Sequence, residues 1–153
     1  MDSGKLVIYI DMDGVLADFD SHVGRSCDAS AGLPSEMLHK GFFRQLPVMP
    51  GSKQAIEELQ ANPKLQLYIA TKISTKNLHA ATEKLQWLEE HFPTLLKNVF
   101  IACDKTKLRG DVLIDDFLRW KDFQGCFIHF NKDSAEESWR QAVAKILSII
   151  PKD

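Results

Sequence analysis

The chain has 153 residues, 44% of them hydrophobic, enough to bury the core of one compact domain over 1–153 and short for two. Nineteen Lys and Arg stand against 21 Asp and Glu, a formal charge of -2 without blocks of like sign, which argues against polymeric nucleic acid as a partner. Met1-Asp2-Ser3-Gly4-Lys5 lacks a signal-peptide layout and no apolar run approaches the ~20 residues of a membrane span, so the expectation is a soluble, cytoplasmic protein without a membrane partner.

The first element is a strand over Leu6-Val7-Ile8-Tyr9-Ile10, a continuous β-branched and apolar run of the kind buried on both faces of a parallel sheet. Residues 19–49 then break the rhythm. They contain Gly24, Gly32, Pro34 and Gly41, too long for an ordinary connection and too irregular for one helix, and Phe19, Leu38, Phe42 and Phe43 favour a short cap inserted over a site. Pro50-Gly51 introduces a helix over 52–60, with apolar residues at 55, 56 and 59, and Asn62-Pro63 stops it. A strand over 65–70 follows. A helix over 75–91 carries Leu78, Ala81, Leu85 and Leu88 at spacings of three and four and ends at Phe92-Pro93. Short strands are expected over 99–102, 112–114 and 126–130. The last helix opens on a capping-box pattern, Ser134-Ala135-Glu136-Glu137, and runs through Trp139, Val143, Ile146 and Leu147. Strands alternating with helices predict an α/β fold with a mainly parallel sheet flanked by helices on both faces.

Asp11 and Asp13 follow the first strand directly, and a period of two sends both carboxylates to one side. Gly14 frees the backbone at that turn for close approach to a ligand. Asp-x-Asp-Gly also opens calcium loops, but an EF-hand starting at Asp11 requires an oxygen ligand at Val15, glycine at Leu16 and glutamate at His22, and all three fail. Three further strands end in polar groups: 65–70 runs into Thr71-Lys72, 99–102 into Asp104-Lys105-Thr106, and 112–114 into Asp115-Asp116. Each group alone has a bland use as a cap or surface charge. Together they occupy the carboxyl edge of the sheet, where α/β proteins bind ligands.

That inventory suits phosphoryl transfer. Asp11, the Asp13 carbonyl and one acid of the Asp115-Asp116 pair offer hard oxygens for Mg²⁺, while Lys105 and the Thr71 hydroxyl can hold phosphate oxygens. Asp11 is then the nucleophile, and Asp13 the acid toward the leaving oxygen and later the base toward water.

Asp11-Met12-Asp13-Gly14-Val15 with Thr71, Lys105 and Asp115-Asp116 resembles the four motifs of the haloacid dehalogenase superfamily of phosphatases. Within it, DMDGVLADF from Asp11 to Phe19, DKT from Asp104 and LIDD ending at Asp116 resemble the 5'(3')-deoxyribonucleotidases. The resemblance implies a Rossmann-like core and a small-molecule phosphate monoester, most simply a deoxyribonucleotide, as substrate. It implies Asp11 and Asp13 as the catalytic pair and Asp11, Asp13 and Asp116 as magnesium ligands, with Asp115 behind them. Thr71 and Lys105 would bind phosphate, with Lys72 as an extra cation where the family often has serine. Phe19, with Phe42 or Phe43, would wall the sugar and base. The insertion is shorter than the family's and has no Trp or Tyr.

Three rivals are weighed. A receiver domain places adjacent acids at its first strand and a lone phospho-acceptor in the middle, the reverse of this order. A superfamily relative acting on sugar phosphates, as phosphatase or mutase, shares the same motifs. An idle phosphate-binding domain ranks last because no motif is missing. Cys27, Cys103 and Cys126 are too few and too scattered for a disulfide framework and read as structural thiols, and the five His residues show no metal-ligand spacing.

Overall fold

Leu6–Ile10 forms β1 at the centre of a five-stranded sheet in the computed structural model, which describes residues 4–24 and 34–152. The other strands are β2 (Leu65–Thr71), β3 (Val99–Ile101), β4 (Val112–Asp115) and β5 (Cys126–His129). All pair in parallel, in the order β3-β2-β1-β4-β5, with Ile10 facing Ile69 on one side and Ile114 on the other. The chain winds outward through β2 and β3, then returns to β4 and β5 on the far side of β1. The order reverses between β1 and β4, and the crevice at that reversal receives ligands in open α/β sheets.

The α-helices are α1 (Phe19–Val23), α2 (Ser52–Gln60), α3 (Ala80–His91) and α4 (Ala135–Ile149). Their apolar sides gather on one sheet face, where Ile8, Ile10, Leu67 and Ile69 meet Ile56, Leu59, Trp87, Trp139 and Ile146. The opposite face carries Tyr9, Ala70 and Leu113 under Trp120 and Phe123. Connections 102–111 and 116–125 are short and hold only the 3-10 turns Lys105–Lys107 and Leu118–Trp120, so flanking on that face comes from 3-10 turns and rings, not α-helices. Trp87, Trp120 and Trp139 are buried core anchors, as their helical settings suggest.

Three local expectations are corrected. The helix predicted over 75–91 begins at Ala80, because the Asn77 side chain turns to the insertion, donating to Met37 O (2.7 Å) and His39 O (3.4 Å). Its buried stripe is Ala80, Glu83, Lys84, Trp87 and Leu88, while Leu78 is 87% exposed. Ser134 makes no side-chain capping bond; the 3-10 turn Lys132–Ser134 precedes α4, and Asn131 accepts from Asp133 N. Cys103, which reads as a structural thiol, is exposed, and Cys126 is half-buried. Cys27 and Gly32 lie outside the described residues.

The described part of the insertion lies against α3. Besides the Asn77 bonds, Glu83 Oε1 accepts from Gly41 N and Trp87 Nε1 donates to Leu46 O at 2.7 Å. Among the described residues no helix is long and apolar enough to cross a membrane.

Candidate active site

Asp11 N donates to Ile114 O at 3.0 Å, which extends the β1–β4 ladder and seats Asp11 on the carboxyl edge at the sheet's reversal. The chain then folds back tightly, Leu16 N and Ala17 N both donating to Met12 O at 2.9 Å. Gly14 opens that turn at φ +85°. A Cβ there would stand 2.7 Å from Asp116 Cγ, so glycine is required twice, by backbone conformation and by the approach of the acid.

Two buried lysines organise the carboxylates. Lys105 Nζ lies 2.6 Å from both Asp11 Oδ1 and Asp115 Oδ2. Lys84 Nζ, from α3, donates to Asp13 Oδ2 (2.8 Å), Thr71 Oγ1 (2.9 Å) and Lys72 O (2.7 Å). Both are only 2% exposed. An ammonium has three protons, so Lys84 is saturated while Lys105 keeps one to spend.

Asp11, Asp115 and Asp116 bring carboxylate oxygens within 4.8 Å of one another. Asp115 spends its oxygens on Lys105 and on Phe117 N, but among the described residues the buried Asp116 Oδ1 finds no hydrogen-bond partner, nor does Asp13 Oδ1. Buried carboxylate oxygens left unpaired call for a cation or a proton. The electrostatics agree. Burial foremost, then the charges of Asp11 and Asp115, push Asp116 up to about 9, and burial with Asp11 pushes Asp115 up to about 7. Burial also lifts Asp13 above the usual carboxylate range, against the opposing pull of Lys84. Burial by itself would drain the Lys105 charge, but Asp11 and Asp115 outweigh it and hold the ammonium above the ordinary lysine range.

The structure thus brings together Asp11, Asp13, Thr71, Lys105, Asp115 and Asp116. Lys72 is exposed, its Nζ 5.9 Å from the Trp120 ring centroid, and only its carbonyl joins the network. Phe43 is 1% exposed and packs under Lys84, with Nζ 4.8 Å from its ring centroid, so in this conformation it is core and presents no open wall. Phe42 is buried beside it, and Phe19, half-buried, stacks edgewise on Phe42 at 5.2 Å. Lys84 is the member the sequence pattern did not mark. The signal was present in Ala80-x-x-Glu83-Lys84-x-x-Trp87-Leu88, a buried-helix stripe with two charges at core positions.

A parallel sheet reversing at β1, with Asp-x-Asp behind β1, a threonine behind β2, a lysine behind β3 and paired acids ending β4, defines a haloacid dehalogenase-like hydrolase. A solved haloacid dehalogenase-like family hydrolase from Xanthomonas campestris shares the fold, with a TM-score of 0.56 over 95% of this chain and 94% of that one at 13% identity. Residues 31–146 match the family model for the 5' nucleotidase, deoxy (pyrimidine), cytosolic type C protein, and the chain belongs to that family of phosphoric monoester hydrolases. It is 30% identical to the human cytosolic 5'(3')-deoxyribonucleotidase, over 71% of this chain and 69% of that protein. With the human mitochondrial form it shares 28% identity over 72% of this chain and 62% of the relative. A putative 5'(3')-deoxyribonucleotidase from Staphylococcus aureus is 32% identical over 95% of this chain and 97% of its own length.

Proposed function

We propose that the protein is a Mg²⁺-dependent phosphatase that hydrolyses deoxyribonucleoside monophosphates through an aspartyl phosphate on Asp11. The observation that carries this reading is the split between two lysine-held acids: Asp11 bound to Lys105 beside Asp115 and Asp116, and Asp13 bound to Lys84 beside Thr71. Each acid has its own ammonium, and burial lifts Asp13 above the usual carboxylate range, which suits it to serve as general acid beside a nucleophilic Asp11.

Asp11, the Asp13 carbonyl and Asp116 would hold the metal, and the partnerless Asp116 Oδ1 fits that use. Bound there, Mg²⁺ supplies charge that offsets repulsion between carboxylate and phosphate. Asp11 Oδ1 is committed to Met12 N and Lys105, which leaves Oδ2 to attack phosphorus. Lys105 has one proton left for a phosphoryl oxygen, and Thr71, whose oxygen accepts from Lys84, keeps its own hydroxyl proton for another. As the phosphorus–oxygen bond to the sugar breaks, Asp13 gives its proton to the leaving oxygen. It then takes a proton from the water that attacks phosphorus and frees Asp11. Lys84 is placed to aim Asp13 by its Oδ2, leaving Oδ1 toward the substrate.

Residues 19–49 serve as the cap in this reading. Phe19 offers the apolar surface for sugar and base, and Phe43 seats Lys84 from below. The names of the relatives support a deoxynucleotide over a sugar phosphate. The test is phosphate release from deoxynucleotides, ribonucleotides and sugar phosphates with Mg²⁺, together with Asp11→Asn. Asp11→Asn is expected to abolish turnover in a folded protein. Borohydride trapping of the wild type should convert Asp11, read by mass spectrometry. Turnover surviving in Asp11→Asn refutes the nucleophile, and preference for sugar phosphates refutes the substrate.

A further inference from the structure

Lys132 takes no part in the chemistry above, yet it stands at the rim of the carboxylate cluster. It opens the turn that follows β5, and its Nζ lies 2.8 Å from Asp20 Oδ2 and 3.5 Å from Asp116 Oδ2. Asp20 sits in the first turn of α1, at the start of the insertion that follows β1. One ammonium therefore joins the sheet edge that bears Asp116 to α1. The three side chains are mostly shielded, with 20% of Lys132, 18% of Asp20 and 4% of Asp116 exposed, so water screens the contacts only in part.

We propose that Lys132 is a positioning residue that ties α1 to Asp116 through Asp20 and, standing beside Asp116 as a competing cation, sets how tightly the site holds its metal. This rests on the reading of Asp116 as a metal ligand. The unequal distances give the idea its direction. Lys132 sits closer to Asp20, so Asp20 holds the ammonium back from Asp116. Removing Lys132 takes a like charge away from the metal position and should tighten metal binding. Removing the Asp20 charge lets the ammonium close on Asp116 and should weaken it. A bond that merely supported the fold would respond in the same direction when broken from either end.

The test is a Mn²⁺ titration of the purified full chain without substrate, with free Mn²⁺ followed by electron paramagnetic resonance. Lys132→Met should bind Mn²⁺ roughly three- to tenfold more tightly than wild type, the range for one charge several ångströms from a divalent ion at a partly wet site. Lys132→Gln serves as a second neutral variant should Met disturb folding, and Lys132→Arg should return to wild-type affinity. Asp20→Asn should weaken binding in the wild-type background and have a smaller effect in the Lys132→Met background. Amide exchange over α1 in the metal-free protein should quicken in Lys132→Met. Shifts of the same sign for Lys132→Met and Asp20→Asn, an equal Asp20→Asn effect in both backgrounds, or unchanged exchange over α1 would each overturn the proposal. Asp116→Asn separates the two layers. If it binds Mn²⁺ like wild type, the metal reading itself fails; if it loses Mn²⁺ while Lys132→Met shows no change, only the role of Lys132 fails.

Discussion

Lys84→Met removes an ammonium that lies 2% exposed against Asp13, Thr71 and the Lys72 carbonyl, while keeping a stem of similar length for the contact with Phe43. Asp13 then has no counter-charge from α3, and its escape is to take up a proton. With an ordinary carboxyl value of ~3.9, that uptake costs at most about 4 kcal/mol near pH 7 and about 1.5 kcal/mol near pH 5. The lost bonds to Thr71 and Lys72 O add about 1 kcal/mol each at either pH. The sign follows from linkage. Losing Lys84 raises the folded-state value of Asp13, and a carboxyl raised on folding costs stability as pH climbs above its unfolded value. Urea unfolding of the variant in EDTA should therefore show a deficit of roughly 3–5 kcal/mol near pH 7, shrinking by about 1–2 kcal/mol near pH 5. In an Asp13→Asn background the same substitution should cost less, and equally at both pH values. A deficit that ignores pH, or one undiminished in that background, would refute the pairing of Lys84 with a charged Asp13.

Gly14→Ala forces a side chain into left-handed backbone and against Asp116, so a loss of about 1–3 kcal/mol in thermal unfolding and a weaker Mn²⁺ titration are expected together. Asp115 and Asp116 stand near 7 and 9 without a metal, so the metal-free fold should lose stability as pH rises from the unfolded carboxyl range toward 9. Mg²⁺ bound to these acids would displace those protons, so the rise in melting temperature on adding Mg²⁺ should be larger at about pH 8 than at about pH 6; an equal rise at both counts against the carboxylate set as the binding site. Asn77→Ala leaves the Met37 and His39 carbonyls without their donor and should lower stability by about 1–2 kcal/mol, read by urea unfolding.

What the sequence made legible is the part of the site whose logic is local. Leu6–Ile10 and Ser52–Gln60 keep the bounds their patterns predict, and β2 and β4 run one residue past expectation, into Thr71 and Asp115, because those residues finish the ladder as well as face the crevice. A strand's end points to one known edge, so side chains there can be assigned to a common site without knowing their contacts. The failures share the opposite property. The capping-box letters at Ser134 were right, but a 3-10 turn set by Asn131 occupies the entry to the helix. Phe43 reads as a free aromatic in an irregular stretch until α3 closes over it.

Glu83 and Lys84 show why that limit is physical. As neighbours of opposite charge on a helix they read as a solvated face, and although Ala80, Trp87 and Leu88 share their stripe, local pattern does not say what would offset burying them. Their partners lie far along the chain, Gly41 at a separation of 42 residues for Glu83 and Asp13 at 71 for Lys84. Each is tolerated inside only because that distant group offsets the loss of water. One turn of α3 therefore grips the insertion with Glu83 and the acid-bearing edge of the sheet with Lys84. The insertion and Asp13, far apart along the chain, are thus held by the same helix.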